Sequence, residues 1–428
     1  MLREWRQRMR LWTLVVVFGL LAGESGAGDW PGWRGPNRDG VSEETGLLST
    51  WPENGPDLVW RVDGAGKGYS TPSVVGDRVY LMGSEGRDRE FVQALDARDG
   101  AVVWSTHVGN VGLPDQDPSY PGSRSTPIVD GERLYVFSSD GDVACLERAS
   151  GKVVWTRNVR EEFGGKPGRW AYSESPLVDG DRVVVTPGGQ AAVMVALDKR
   201  TGETVWTTSI AEAEDAAFSS IAISNASGKK QYVQFLKGGL LGVDAETGKV
   251  LWRYHRTAEG SPANIPTPLI QGDAVYNATH RAGGALLKID LDGDPVVTEM
   301  YFGSKLPVNL GGSILTQGHL FGTTRSALVC TEFETGELKW TDRSVGPASV
   351  FYAEGHVYLA SEDGEVALVA ATPTAYVEKG RFTLPNPPVR GDSKIWAYPV
   401  VANGRLYIRD VNVVWCYDVS QSDGEGGE

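Results

Sequence analysis

The stretch that decides the fold is Ala94-Leu95-Asp96-Ala97-Arg98-Asp99-Gly100-Ala101-Val102-Val103-Trp104. It reads as a small residue, an apolar one, an acid, a turn ending in Gly, then a strand that carries a Trp. The phrase returns as Cys145-Leu146-Glu147 with Gly151 and Trp155, and as Ala196-Leu197-Asp198 with Gly202 and Trp206. Two more copies are Gly242-Val243-Asp244 with Gly248 and Trp252, and Cys330-Thr331-Glu332 with Gly336 and Trp340. Degenerate copies run from Ile289-Asp290 through Gly293 to Tyr301, and from Ala370 to Phe382. Cys416-Tyr417-Asp418 ends without its Trp, while Trp60 stands near the start without its turn.

A second phrase precedes each copy: Ser or Thr, Pro, two or three apolar residues, Gly, a polar pair and an alternating strand. Pro72 to Tyr80, Pro127 to Tyr135 and Pro399 to Tyr407 are examples. A Gly between two period-2 apolar runs is a hairpin signal, and the Gly before each Trp marks another. Each unit is therefore four short antiparallel strands. Seven intervals from Trp60 to Phe382 average about 46 residues, the period of a β-propeller blade. Eight terminal aromatics predict an all-β, eight-bladed propeller over 58–419. Its last blade has three C-terminal strands, about 394 to 418, and takes its fourth from the strand ending at Trp60, which removes the open sheet edges. The recurring rings are expected to wedge between blades and do no chemistry.

The 41 basic and 55 acidic residues leave a net charge of −14 over 428 residues, which repels phosphate backbones and disfavours nucleic acid. Residues 1–27 read as a signal peptide. Arg3, Arg6, Arg8 and Arg10 precede an apolar run from Leu11 to Ala22, and Ser25-Gly26-Ala27 offers a cleavage site. The apolar run is too short for a membrane span, and Glu24 stands where a lipid-bearing Cys would follow Leu20-Leu21-Ala22-Gly23. The expectation is an exported monomer, periplasmic or extracellular, without a lipid anchor. Residues 28–57, rich in Trp, Pro and Gly, form a strap over one face. Residues 420–428 form an acidic disordered tail.

The Ala-x-Asp-x-x-Thr-Gly-Glu/Lys-x-x-Trp phrase resembles the tryptophan-docking motif of the PQQ-like (quinoprotein alcohol dehydrogenase-like) propeller superfamily. Asp29-Trp30-Pro31-Gly32-Trp33-Arg34-Gly35-Pro36 resembles the opening of secreted bacterial PQQ-like repeat proteins. The resemblance covers the whole propeller and implies the fold, since the motif is a packing device. The superfamily contains quinone-dependent alcohol dehydrogenases and non-catalytic propellers such as BamB. Quinone-binding members typically carry two adjacent cysteines against the cofactor. Here Cys145, Cys330 and Cys416 share one register in three different blades, too far apart for a disulfide, and are expected to be buried fillers.

Ligands of a propeller meet the axial funnel, lined by the loops that enter each innermost strand. From those loops the candidate ligand-binding residues are Tyr69, Arg124, Trp170, Tyr172, Glu174, Asn264, Asn309, Trp396 and Tyr398. Blades 3 and 8 share Trp-Ala-Tyr there, at 170–172 and 396–398. They form either an aromatic-walled polar pocket or a plug in which Arg124 and Glu174 neutralise each other. The five histidines show no metal-ligand spacing, no nucleophile elbow occurs, and Asp63-Gly64-Ala65-Gly66-Lys67-Gly68 lacks the spacing of a phosphate loop. Asp290-x-Asp292-Gly293-Asp294 reads as a turn and not a Ca²⁺ loop. The function expected is a non-catalytic binding or scaffold propeller for a protein, peptide or glycan, with no catalytic residue, metal or cofactor. The alternative is a PQQ- and Ca²⁺-dependent alcohol or sugar dehydrogenase using groups such as Glu174, Asn264 or Asn309.

Overall fold

The computed structural model describes residues 28–113, 122–212 and 214–421. The signal peptide expected at 1–27 and residues 422–428 of the tail lie outside the described residues. Among those described, eight sheets of four antiparallel strands follow one another along the chain. Blade 1 is Ser73–Val75, Arg78–Glu85, Arg89–Asp96 and Val102–Gly109. Blade 8 is Val400–Ala402, Arg405–Asp410 and Val413–Asp418, completed by Asp57–Asp63, with Trp60 opposite Cys416. The closure and the blade count are those expected.

The repeated phrase has a geometric cause. In blade 2 the outer strand pairs Val153 with Leu146 and Trp155 with Cys145, so Val154 is an extra residue. Such a bulge sharpens the local twist, and it recurs at the same register in all eight outer strand pairs. It sets each indole directly across from the small residue that opens the phrase, which is why Ala94, Cys145 and Ala196 are small. All three cysteines are buried and free.

The ring then rests on the turn glycine of the next blade. A Cβ on Gly151 would come within 2.4 Å of the Trp104 ring, and one on Gly202 within 2.9 Å of Trp155. Both glycines have positive φ, +70° and +76°. The Trp104 Nε1 donates to the Arg148 carbonyl (3.2 Å), and the Trp155 Nε1 to that of Lys199 (3.1 Å). Glycine is thus demanded twice, by backbone and by contact. Gly151→Ala is expected to cost about 1–3 kcal/mol in backbone strain and about 1–3 kcal/mol in overpacking, read as a lower urea midpoint. Blade 4 departs from the rule. Space beside Gly293 is open, and the Trp252 Nε1 turns back to Gln231 Oε1 (2.6 Å) within its own blade.

Blade 7 meets the rule from a shifted position. The register places Gly380 opposite Leu368, where other blades carry Trp or Tyr. Yet Phe382, the aromatic expected from the sequence, rests on the turn glycine of blade 8, where a Cβ on Gly55 would come within 2.6 Å of its ring. A second ring comes from the strap. Trp51 sits over Gly380, where a Cβ would meet the Trp51 Cβ at 2.5 Å, and its N–H donates to the Lys379 carbonyl (2.8 Å). Its ring packs 5.9 Å from Tyr358 and 5.5 Å from Phe382. The strap therefore covers Gly380 beside the Phe382 wedge.

The strap also fills the axis. Trp30 pairs with Val74 on blade 1, and the Pro31 carbonyl accepts from Val129 N–H on blade 2. Arg38, 6% exposed, donates to the carbonyls of Ile221, Pro176 and Ser175 at 2.8–3.1 Å. Arg34 donates to the Ser313 carbonyl (2.6 Å). Val41–Ser42 adds a fifth, parallel strand to the inner edge of blade 7. Ser420 and Gln421, assigned to the tail in sequence, pair with Leu47 and Gly46 of the strap.

A third buried arginine stitches the closure. Arg409 of blade 8, 1% exposed, donates to the carbonyls of Ser70, Met82 and Gly66 at 2.6–3.1 Å. Its Nε donates to that of Val411. The glycine-rich segment at 63–68, set aside as a phosphate loop, is thus a cradle for this guanidinium.

Candidate functional site

Six rings from five segments surround a cavity of about 260 Å³ on the propeller axis: Trp33, Tyr69, Trp170, Phe218, Trp396 and Tyr398. Trp33 reaches it from the strap. The Trp33 Nε1 donates to Thr267 Oγ1 (2.9 Å), and the ring meets Tyr398 edge-on at 4.8 Å. Tyr69 and Trp396 pack at 5.1 Å, Trp170 and Phe218 at 5.7 Å. Arg124 lines the wall, 5.9 Å from the Tyr69 ring centre, and donates to the Trp170 carbonyl (2.6 Å). Ser173, Ser349 and His280 complete the polar part of the lining.

Five of the nine sequence candidates thus meet in the cup: Tyr69, Arg124, Trp170, Trp396 and Tyr398. The other four do not line it. Ala171 has φ +68°, which turns the chain so that Tyr172 leaves the axis. Its ring packs on Phe137 (5.1 Å) and its hydroxyl donates to the Pro187 carbonyl (2.7 Å). Blade 8 has no such turn at Ala397, so its Trp and Tyr both stay at the cup. Asn264 donates to the carbonyls of Leu236 and Lys237, and lines a neighbouring groove of about 420 Å³. Asn309 is 6% exposed, its backbone N–H bound to the Thr323 carbonyl.

Glu174 is 2% exposed and accepts from Thr186 N–H (3.1 Å) and Gln234 Nε2 (3.3 Å). Its charged neighbour is Arg38 of the strap and not Arg124. Burial pushes its carboxyl up to about 8 against the pull of Thr186, Arg38 and Gln234. Arg124 instead faces Glu90, whose carboxyl burial raises to about 7 against donors from Ser123 and Ser139. The paired-plug arrangement is thus corrected, because each cation found a different carboxylate. A carboxyl raised on folding holds its proton while the unfolded chain releases it. Stability is therefore expected to fall between about pH 4.5 and about pH 8, and Glu174→Gln to flatten that slope in denaturation series run across this window.

Of the loops entering the innermost strands, sequence reasoning chose neither Phe218 nor Ser173, and it missed Trp33 and His280 outside those loops. His280 follows Ala274–Thr279 on a hairpin between second and third strands, outside the entry loops that were searched. Burial lowers its pKa, helped by Arg325 and Arg281, which favours the neutral ring.

The superfamily implies a quinone with a calcium ion on this axis. Calcium takes six to eight oxygen ligands. The cup offers rings, one guanidinium, one imidazole and hydroxyls, and no carboxylate or carboxamide lines it. Ser123 and Ser139 hold Glu90, Thr186 and Gln234 hold one oxygen of Glu174, and the Asn264 amide nitrogen bonds backbone carbonyls, while one oxygen each of Glu174 and Asn264 is unpartnered. Among the described residues no three His, Cys, Asp or Glu side chains cluster to hold a metal ion. The lining of the cup does not fit that pair.

Blades wedged by indoles around a ring-lined axis define a PQQ-like β-propeller. The family model PQQ_2, described as outer membrane protein assembly factor BamB, matches residues 38–113 and 88–321, and the chain belongs to that family. It is 26% identical over 170 residues to outer membrane protein assembly factor BamB of Shewanella oneidensis, covering 39% of this chain and 40% of that one. It is 25% identical over 271 residues to quinohemoprotein alcohol dehydrogenase ADH IIB of Pseudomonas putida, covering 58% of this chain and 36% of that one. The chain thus spans less than half the length of either curated relative. The crystal structure of BamB from Moraxella catarrhalis superposes with a TM-score of 0.60 at 15% identity, covering 85% of this chain and 99% of that one, a likeness of fold alone.

Proposed function

We propose that this chain is an exported, non-catalytic binding propeller whose axial cup receives part of a protein, peptide or glycan ligand. One observation carries the reading: rings wall the cup and no carboxylate lines it, Glu90 being held behind the wall by Ser123 and Ser139. An apolar cavity with few convergent polar groups is the usual form of a binding site. No general acid and base face each other across it. The family description, an assembly factor, accords with a scaffold role.

Export rests on the basic, apolar and small-residue series of residues 3–27. No helix among the described residues is long and apolar enough to cross a membrane. The alternative, a quinone-dependent dehydrogenase, draws on the Pseudomonas putida relative, and the donor set of the cup disfavours it. The test is reconstitution of the purified protein with PQQ and Ca²⁺, followed by dye reduction with alcohols and aldoses. We expect neither retained quinone nor turnover. Stoichiometric retention with turnover would overturn the reading.

A further inference from the structure

We propose that the axial cup is a sugar-ring subsite, in which a pyranose stacks between indoles and places its hydroxyls on Ser173 and His280. The inference rests on the cup being a ligand site, as proposed above, and names what it takes.

Three observations point to this occupant. The first is the wall. Trp33, Trp170 and Trp396 are each half-buried at the cavity, so part of each ring meets the cavity and part is fixed by packing. An indole face carries negative quadrupole density and attracts the weakly positive C–H face of a pyranose. A cavity of about 260 Å³ is of the size of one or two such rings.

The second is a pair of polar atoms without partners. The Ser173 Oγ and the His280 Nδ1 are shielded from solvent, and neither has a hydrogen-bond partner. Both residues line the cup. Leaving such groups unpaired costs roughly 1–3 kcal/mol each, so a fitting ligand brings hydroxyls to them. A hydroxyl both donates and accepts, as a neutral imidazole and a serine require. An apolar peptide side chain would fill the space and leave both atoms unpaired.

The third is the absence of a free strand edge on much of the axis. A peptide captured by strand addition needs unpaired backbone on an inner strand. The strap already takes that backbone: Trp30 on Val74, Pro31 on Val129, and Val41–Ser42 along Ala348–Ala353. Rings and side-chain hydrogen bonds are the recognition elements that the cup retains. A quaternary-ammonium ligand, the other guest of aromatic cages, is opposed by Arg124 in the wall beside Tyr69.

The experiment is calorimetric titration of the full chain with four neutral tetrasaccharides (malto-, cello-, manno- and xylo-) and with a Phe- and Trp-containing octapeptide. Wild type, Trp396→Ala, Ser173→Ala and His280→Ala are compared, each checked by thermal melting. We expect at least one tetrasaccharide to bind. Trp396→Ala is expected to remove that binding, and each polar substitution to weaken it roughly tenfold at an unchanged melting temperature. If the octapeptide binds, Trp396→Ala removes that binding, and no sugar binds, the sugar assignment falls while the cup stands as a ligand site. If a sugar binds but Ser173→Ala and His280→Ala leave its affinity unchanged, the assignment of the polar contacts is overturned. If neither class of probe binds, the subsite and the reading beneath it both fail.

Discussion

Trp51→Ala is expected to destabilise the protein by about 3–5 kcal/mol, the range for truncating a large buried aromatic. The ring is 7% exposed and covers Gly380 of blade 7, which has no side chain of its own. Removing it leaves Gly380 bare and opens a gap beside Tyr358 and Phe382 that Gly380 has no side chain to fill. Phe382→Leu, at the wedge on Gly55, is expected to cost less, since it keeps an apolar group against Tyr417. Urea unfolding followed by fluorescence ranks the two. A larger loss for Phe382→Leu than for Trp51→Ala would show that the strap ring carries less of this seam than the wedge does.

Arg409→Met should be as severe, about 3–5 kcal/mol, since it strips the donor from several buried carbonyls at roughly 1–3 kcal/mol each. Methionine fills much of the volume, so the loss reports hydrogen bonds and not a cavity. The carbonyls of Ser70, Met82, Gly66 and Val411 would each lose a donor in a place that water does not reach. Arg409→Lys should recover only part of the loss, because an ammonium has three donors and cannot fan across carbonyls from two blades. Equal stability of wild type and Arg409→Met at neutral pH would refute the stitch.

Most of the architecture was legible because the same physical demand recurs. Gly100, Gly151 and Gly202 must have positive φ and must also accept a ring, so the pattern survives wherever a blade follows the rule. The errors fell where the rule is met by other means. Blade 7 holds Gly380 at the register of the other rings, and its wedge Phe382 reaches Gly55 from two residues further on. Trp51 was invisible as the cover of Gly380, since the strap has no period to align. The cup was half legible. Loop register brought out Trp170 and Trp396, but one left-handed residue, Ala171, sent Tyr172 away from the axis. Asn264 and Glu174 share that register and satisfy backbone groups instead. Which way a loop side chain turns depends on its neighbours in other blades, and a linear reading does not contain them.

The strand Asp57–Asp63 waits for a partner at Val413–Asp418, nearly the full length of the chain away. A nascent polypeptide therefore carries an orphan ribbon through almost all of its synthesis, and the wheel can lock only when the final segment arrives. The entropy of joining such distant ends grows slowly with their separation, but it must be met before any contact repays it. Docking of the last three strands is thus the step at which premature termination, or a competing ribbon from a second molecule, would divert the product into aggregates.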